Sequence, residues 1–134
     1  FQSNNFLVKR SIVLEVPFSE QVAGYGHEDT LWGQEVAAAG YTIRHIDNPV
    51  LHRGLETTTE FLRKQQRAVK NLRFLKSKHP HLRTRLLDVV ERYPMLARQT
   101  RFLPEKMLVQ LLTKGEQPPL YLLDLLKLHW YSQG

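Results

Sequence analysis

A chain of 134 residues with 42% hydrophobic content suits one domain, and at this size roughly two-thirds of the unfolded surface can be buried on folding. It contains no cysteine, which excludes a disulfide framework and a thiolate zinc site and is compatible with a reducing compartment. The net charge of +6 favours an anionic partner without naming it, because nucleic acid, an acidic membrane surface and a phosphorylated substrate are all attracted by the same Coulomb term.

Residues 1–4 look like the remains of a protease-cleavable tag, which places the start of native sequence around Asn5. The apolar piece 5–10 reads as a strand, leading into Ser11, whose hydroxyl would cap a helix through Val16 that Pro17 ends. Phe18, Ser19 and Glu20 open a loop, and Gly24 and Gly26 give it the freedom for a tight turn or a close backbone approach. A helix follows from Glu28, with acids in its first turn, Leu31, Val36 and Ala39 near one face, and Gly40 as its stop. Residues 41–46 alternate and are rich in β-branched and aromatic side chains, which predicts a strand broken by Asp47, Asn48 and Pro49.

Beyond residue 56 glycine nearly disappears and amphipathic periodicity takes over. Thr57 to Thr59 offer caps to a long helix that Pro80 closes, with Phe61, Ala68, Leu72 and Leu75 opposite Arg63, Arg67 and Lys70. A second helix is expected over 81–93, buried through Leu82, Leu86, Val89 and Val90, and a short helical piece after Pro94. Pro104 suits the first turn of a helix to Lys114, residues 115–119 form a linker, and 120–131 make a final apolar helix expected to pack into the core. No apolar run approaches the roughly 20 residues a bilayer span needs, so a soluble protein is expected.

Residues 61–87 contain nine Lys or Arg and no Asp or Glu. Such a block is a solvated helix face or an electrostatic footprint for an anionic surface. The alternative to an enzyme is a basic helical module that binds nucleic acid or a membrane surface, with nucleic acid disfavoured because the region lacks interleaved aromatics and any nucleic-acid-binding motif.

Chemistry concentrates between residues 24 and 52. Glu28 and Asp29 fall at a helix start, where backbone amides and the helix dipole favour the anion by about 0.3–1 kcal/mol; acids are also common there simply because they stabilise the helix. His52 follows a predicted strand and is able to ligate a divalent metal, as are His27 and His45, but no His-x-x-x-His or cysteine set completes a site.

Taken together, Phe18-Ser19-Glu20, Gly24-Tyr25-Gly26-His27-Glu28-Asp29, Ala39-Gly40-Tyr41 and Asn48-Pro49-Val50-Leu51-His52 resemble the C-terminal part of a family-two, inverting glycosyltransferase of GT-A fold, over about half the chain, residues 5–75. The resemblance implies an α+β, helix-rich fold: an acceptor-side portion of the transferase domain over 5–56 and a helical C-terminal region over 57–134. It implies that Asp29 is the catalytic base that takes the acceptor hydroxyl proton, that Glu28 orients the acceptor with Trp32 lining its site, and that His52 ligates the Mn²⁺ or Mg²⁺ carrying the donor diphosphate. Its partners would be a nucleotide-sugar donor and a glycan or lipid-linked acceptor, in cell-surface or secreted polysaccharide synthesis. The location implied is the cytoplasm, peripheral at the inner face of the membrane. The family's Asp-x-Asp is absent: the aspartates are Asp29, Asp47, Asp88 and Asp124. A truncated domain without donor-binding strands is therefore expected, inactive alone, with an exposed sheet edge prone to self-association.

Overall fold

The computed structural model describes residues 3–19, 25–51, 53–54, 56–114 and 118–134. Among these the chain forms seven α-helices, α1 (Arg10–Glu15), α2 (Glu28–Ala38), α3 (Thr58–Lys78), α4 (Arg85–Arg92), α5 (Pro94–Gln99), α6 (Glu105–Thr113) and α7 (Tyr121–Ser132), with a 3₁₀ turn, Thr100–Phe102, between α5 and α6.

Helix α3 is the hub, and local chemistry fixes both its ends. The Thr57 hydroxyl accepts a hydrogen bond from the Glu60 amide at 3.3 Å, satisfying one donor that a helix start leaves bare. At the other end Lys76 and Lys78 complement the helix dipole before Pro80 stops the chain. Leu62 and Val69 of α3 join Leu108 and Leu112 of α6 and Leu122, Leu126 and Trp130 of α7 in one cluster. Leu72 and Leu75, one and two turns further on, join Leu31 of α2 with Leu82 and Leu87 in a second. Leu86 and Tyr131 touch both clusters, so the two apolar cores meet under the C-terminal end of α3.

The final helix packs as its apolar content predicts. Leu122, Leu126, Leu128 and Trp130 are buried, whereas Leu120 and Tyr121 at its start are exposed. His129, also buried, shares a hydrogen bond of 2.8 Å between its Nδ1 and the Thr100 carbonyl, tying α7 to the 3₁₀ turn. The Trp130 indole donates to Glu105 Oε1 at 2.7 Å and ties it to the start of α6. Such partners offset the desolvation of polar atoms carried into a core.

The expected strands are the correction. The described residues contain helices and no strand, so the fold is all-helical in its regular structure and not α+β with a GT-A sheet core. Residues 6–9 and 41–46 are without regular structure, and α1 begins at Arg10, with Ser11 inside it. Alternation supplies strand propensity, but a strand exists only when its amides and carbonyls find a neighbouring ladder. Here both segments line a groove of about 900 Å³, and the Asn5 side-chain amide donates to the Asn48 carbonyl at 2.8 Å where they approach. With no sheet among the described residues, the expected sheet edge has no counterpart there.

Smaller differences have local causes. Helix α4 begins at Arg85 rather than at residue 81, because the Thr84 hydroxyl takes the Leu87 amide as its cap at 3.2 Å. Leu82 is nevertheless fully buried, from the loop rather than from a helix. Pro104 is the cap of α6 and not its first residue. Gly40 ends α2 as expected, with φ of 89°. Residues 115–117 of the expected linker lie outside the described residues.

Candidate functional site

The Gly-Tyr-Gly-His-Glu-Asp stretch is followed by the structure from Tyr25 onward, and its backbone explains its residue types. Gly26 has φ of 95°, and its carbonyl accepts a 2.5 Å hydrogen bond from the Asn71 side-chain amide of α3. A Cβ at Gly26 would sit 2.7 Å from the Ala68 Cβ. Only glycine therefore lets this turn lie against α3 while taking a positive φ. His27 is also left-handed, with φ of 71°, an uncommon conformation for a residue with a side chain. The two positive-φ residues turn the chain so that α2 starts at Glu28.

His27 lies next to the acidic pair, and burial pushes its pKa below the ordinary 6.5, against the opposing pull of Asp29 and Glu28 and with help from Lys127 of α7. The imidazole is held neutral at pH 7.

Asp29 is half-buried in the first turn of α2. Its Oδ1 accepts from the Thr30 amide at 2.7 Å and lies 3.4 Å from the Thr30 hydroxyl, while Oδ2 accepts from the Ser3 amide at 3.2 Å. One carboxylate oxygen is thus oriented by its own helix. The other accepts from a backbone N–H of the N-terminal segment. Glu28 differs: its Oε2 is buried and has no hydrogen-bond partner among the described residues. A buried carboxylate oxygen without a donor is costly, about 1–3 kcal/mol or more, and such groups call for a ligand or a further donor.

Trp32, one turn on, is 3% exposed. Its indole donates to the Val16 carbonyl at 2.7 Å, Phe18 stacks on it at a centroid distance of 4.3 Å, and Phe6 meets it at a tilt. It sits on the wall of the groove between residues 4–9 and 41–48.

His52 lies outside the described residues, as do Glu20 and Gly24 of the motifs. His45 is exposed on the segment after α2. The one described group of carboxylate and imidazole ligands is Glu35, His79 and His81, toward the opposite end of α2 from Asp29. The described residues do not make a diphosphate-metal centre beside Asp29, and no step is assigned to a cation there.

The basic block is partly neutralised from outside itself. Arg63 pairs with Glu60 at 2.6 Å, Lys64 with Glu56, Lys76 with Glu91 at 2.9 Å and Arg83 with Asp88 at 3.0 Å. Arg67, Lys70, Lys78 and Arg85 are exposed and have no carboxylate within 4.0 Å among the described residues. Among the described residues no helix is long and apolar enough to cross a membrane.

The sequence pattern picks out the acidic pair but not its surroundings. The grip of Asn71 on Gly26, the left-handed His27 and the unpartnered Glu28 oxygen depend on α3 packing against the turn, and the glycine spacing is the one local trace of it. Comparison of the chain with protein-family models, curated proteins and solved structures finds no match.

Proposed function

We propose that this chain supplies the acceptor side of an inverting glycosyltransferase, which moves a sugar from a nucleotide-sugar donor to an acceptor hydroxyl. The observation that carries the reading is the acidic pair at the start of α2: a reachable Asp29 carboxylate beside a Glu28 oxygen that is buried and unpartnered. Asp29 is the base, accepting the hydroxyl proton at Oδ2 as the oxygen bonds to the anomeric carbon and the bond from that carbon to the donor's diphosphate oxygen breaks, releasing the nucleoside diphosphate. A sugar hydroxyl becomes more acidic as that bond forms, so a carboxylate suffices and position matters more than basicity. Glu28 Oε2 accepts a second acceptor hydroxyl and so orients the first. Trp32, on the wall of the groove, lines the acceptor site. The Mn²⁺ or Mg²⁺ suggested by the resemblance, with His52 as a ligand, belongs with the donor side, as does the nucleotide.

The chain contains no Asp-x-Asp, and by itself it is expected to turn over no sugar nucleotide. The test is transfer by the full-length protein carrying Asp29→Asn. Turnover is expected to fall by about 10²–10⁴-fold, the usual contribution of a general base, with an unchanged circular dichroism spectrum. Full transfer by a folded Asp29→Asn enzyme would remove Asp29 as the base. Glu28→Gln is expected to raise the acceptor KM more than it lowers kcat, as loss of a binding contact does. The exposed cations of residues 61–87 suit an anionic membrane surface, which would hold the enzyme near a lipid-linked acceptor at the cytoplasmic face.

A further inference from the structure

Two histidines one residue apart, His79 and His81, lie in the loop between α3 and α4, and the packing of α2 on that loop brings Glu35 to them. The possible ligand atoms of the three side chains all fall within 4.8 Å of one another. His79 Nδ1 is 3.6 Å from Glu35 Oε1, and the two imidazoles stand edge to face with centroids 5.8 Å apart. Two ligands bound to one tetrahedral zinc at about 2.1 Å lie roughly 3.4 Å from each other, so the carboxylate and the first imidazole already have nearly that separation. From this geometry we infer that Glu35, His79 and His81 bind a single Zn²⁺ ion, with water completing the coordination.

The backbone around the three ligands is fixed by contacts independent of any ion. Gln34, the neighbour of Glu35, donates from its amide to the Arg83 carbonyl at 2.6 Å and accepts from the Arg83 amide at 3.0 Å, a two-point clasp between α2 and the loop. The Lys76 ammonium donates to the Pro80 and Leu82 carbonyls at 2.8 and 3.0 Å, and Glu91 balances its charge at 2.9 Å. The Leu82 amide bonds to the His79 carbonyl at 2.9 Å, closing a turn about Pro80, and the Leu82 side chain is fully buried. Ligands on a backbone this constrained lose little freedom on binding. Glu35 and His79 are half-buried and His81 is exposed, leaving an open side for water and for entry of the ion.

Ligand type selects the metal. Two imidazoles and one carboxylate, without thiolate, suit zinc better than magnesium or calcium, which take oxygen ligands. The site is distinct from the acidic pair: Glu35 is six residues after Asp29 on the same helix, roughly 9 Å along its axis. Bound zinc would bolt the C-terminal half of α2 to the α3–α4 junction, and the inference stands whether or not the transferase reading does.

The alternative without an ion is a simple His79–Glu35 pair, in which His81 has no part, and this makes His81 the deciding residue. Chelator-stripped, tag-free protein is titrated with ZnCl₂ by calorimetry and with CoCl₂ by visible absorption. One equivalent of Zn²⁺ is expected to bind and to raise Tm by mass action, and Co²⁺ is expected to give the intense bands of a low-symmetry site. Since outer-sphere changes alone typically weaken metal binding by 10–100-fold, His81→Ala is expected to weaken it by about 100-fold or more. Glu35→Gln should do the same, and His45→Ala should leave binding unchanged. His81 is exposed, so its alanine variant keeps the fold. Absence of stoichiometric Zn²⁺ binding, or binding that survives in His81→Ala, overturns the inference.

Discussion

Gly26→Ala tests whether the turn before α2 is shaped by α3. The new Cβ would lie 2.7 Å from the Ala68 Cβ and 3.2 Å from its Cα, both on a rigid helix, at a backbone φ of 95°. The unfavourable φ costs about 1–2 kcal/mol. Pressing a methyl into a packed contact costs about 1–3 kcal/mol more. Loss of unfolded-state freedom returns about 0.4–1 kcal/mol, leaving a net loss of about 1–5 kcal/mol. For a domain between the usual size classes each kcal/mol moves Tm by about 4 °C, so a fall of about 4–18 °C is expected. Thermal unfolding by circular dichroism measures it. Ala68→Gly in the same chain removes the obstructing methyl, and the double-mutant cycle should return a coupling of about 1–3 kcal/mol. A Gly26→Ala chain that melts within about 2 °C of the parent, or a coupling near zero, would refute the close approach.

Acidification should weaken the fold through His27. Its pKa is lowered in the folded state by burial, so between that value and 6.5 the unfolded chain binds more protons. Stability is then full above 6.5 and lost as pH falls below it. His27→Asn, which tolerates the left-handed backbone, should flatten the fall in urea midpoint between about pH 7 and pH 5; an unchanged slope would show that His27 does not carry it. Trp32→Phe should keep the ring packing, lose the bond to the Val16 carbonyl and cost about 1–3 kcal/mol by urea unfolding; Trp32→Ala should cost about 3–5 kcal/mol. Vesicles containing anionic lipid should sediment with the protein and neutral ones should not. Charge reversal at Arg67 and Lys70 should weaken that binding by about 1 kcal/mol per cation removed, and sedimentation independent of lipid charge would end the membrane reading.

What the sequence discloses follows the range of the interactions involved. Amphipathic periodicity locates α3, first-turn acids and the Gly40 stop locate α2, and apolar content locates α7, because helical hydrogen bonds close within the segment and the signals are written into the same residues. Residues 41–46 have equal strand propensity, yet ladder bonds must come from a distant segment, and no alternation pattern states whether that segment arrives. The start of α4 was misplaced for a different reason: Leu82 belongs to the apolar stripe but is buried from a loop, and Thr84 is a better cap than anything before it. The site divides likewise. Glu28 and Asp29 are neighbours in sequence and legible as a pair, whereas Glu35 and His79 come together only because α2 packs on the α3–α4 loop.

That packing also gives the helical region a part in the chemistry proposed for Asp29. Helix α2 is held along its length by residues beyond position 56. Asn71 grips the turn before it, Leu31 enters the cluster of Leu72, Leu75, Leu82 and Leu87, and Gln34 clasps Arg83. On its other face Trp32 meets Val16, Phe18 and Phe6. The orientation of the acidic pair therefore depends on α3 and the loop after it. A base must be held within a few tenths of an ångström of its productive position to act, so a cavity made at Leu72, which is fully buried beneath Leu31, would disturb Asp29 without touching any substrate. Residues 57–134 thus form the platform on which the helix carrying the acidic pair stands.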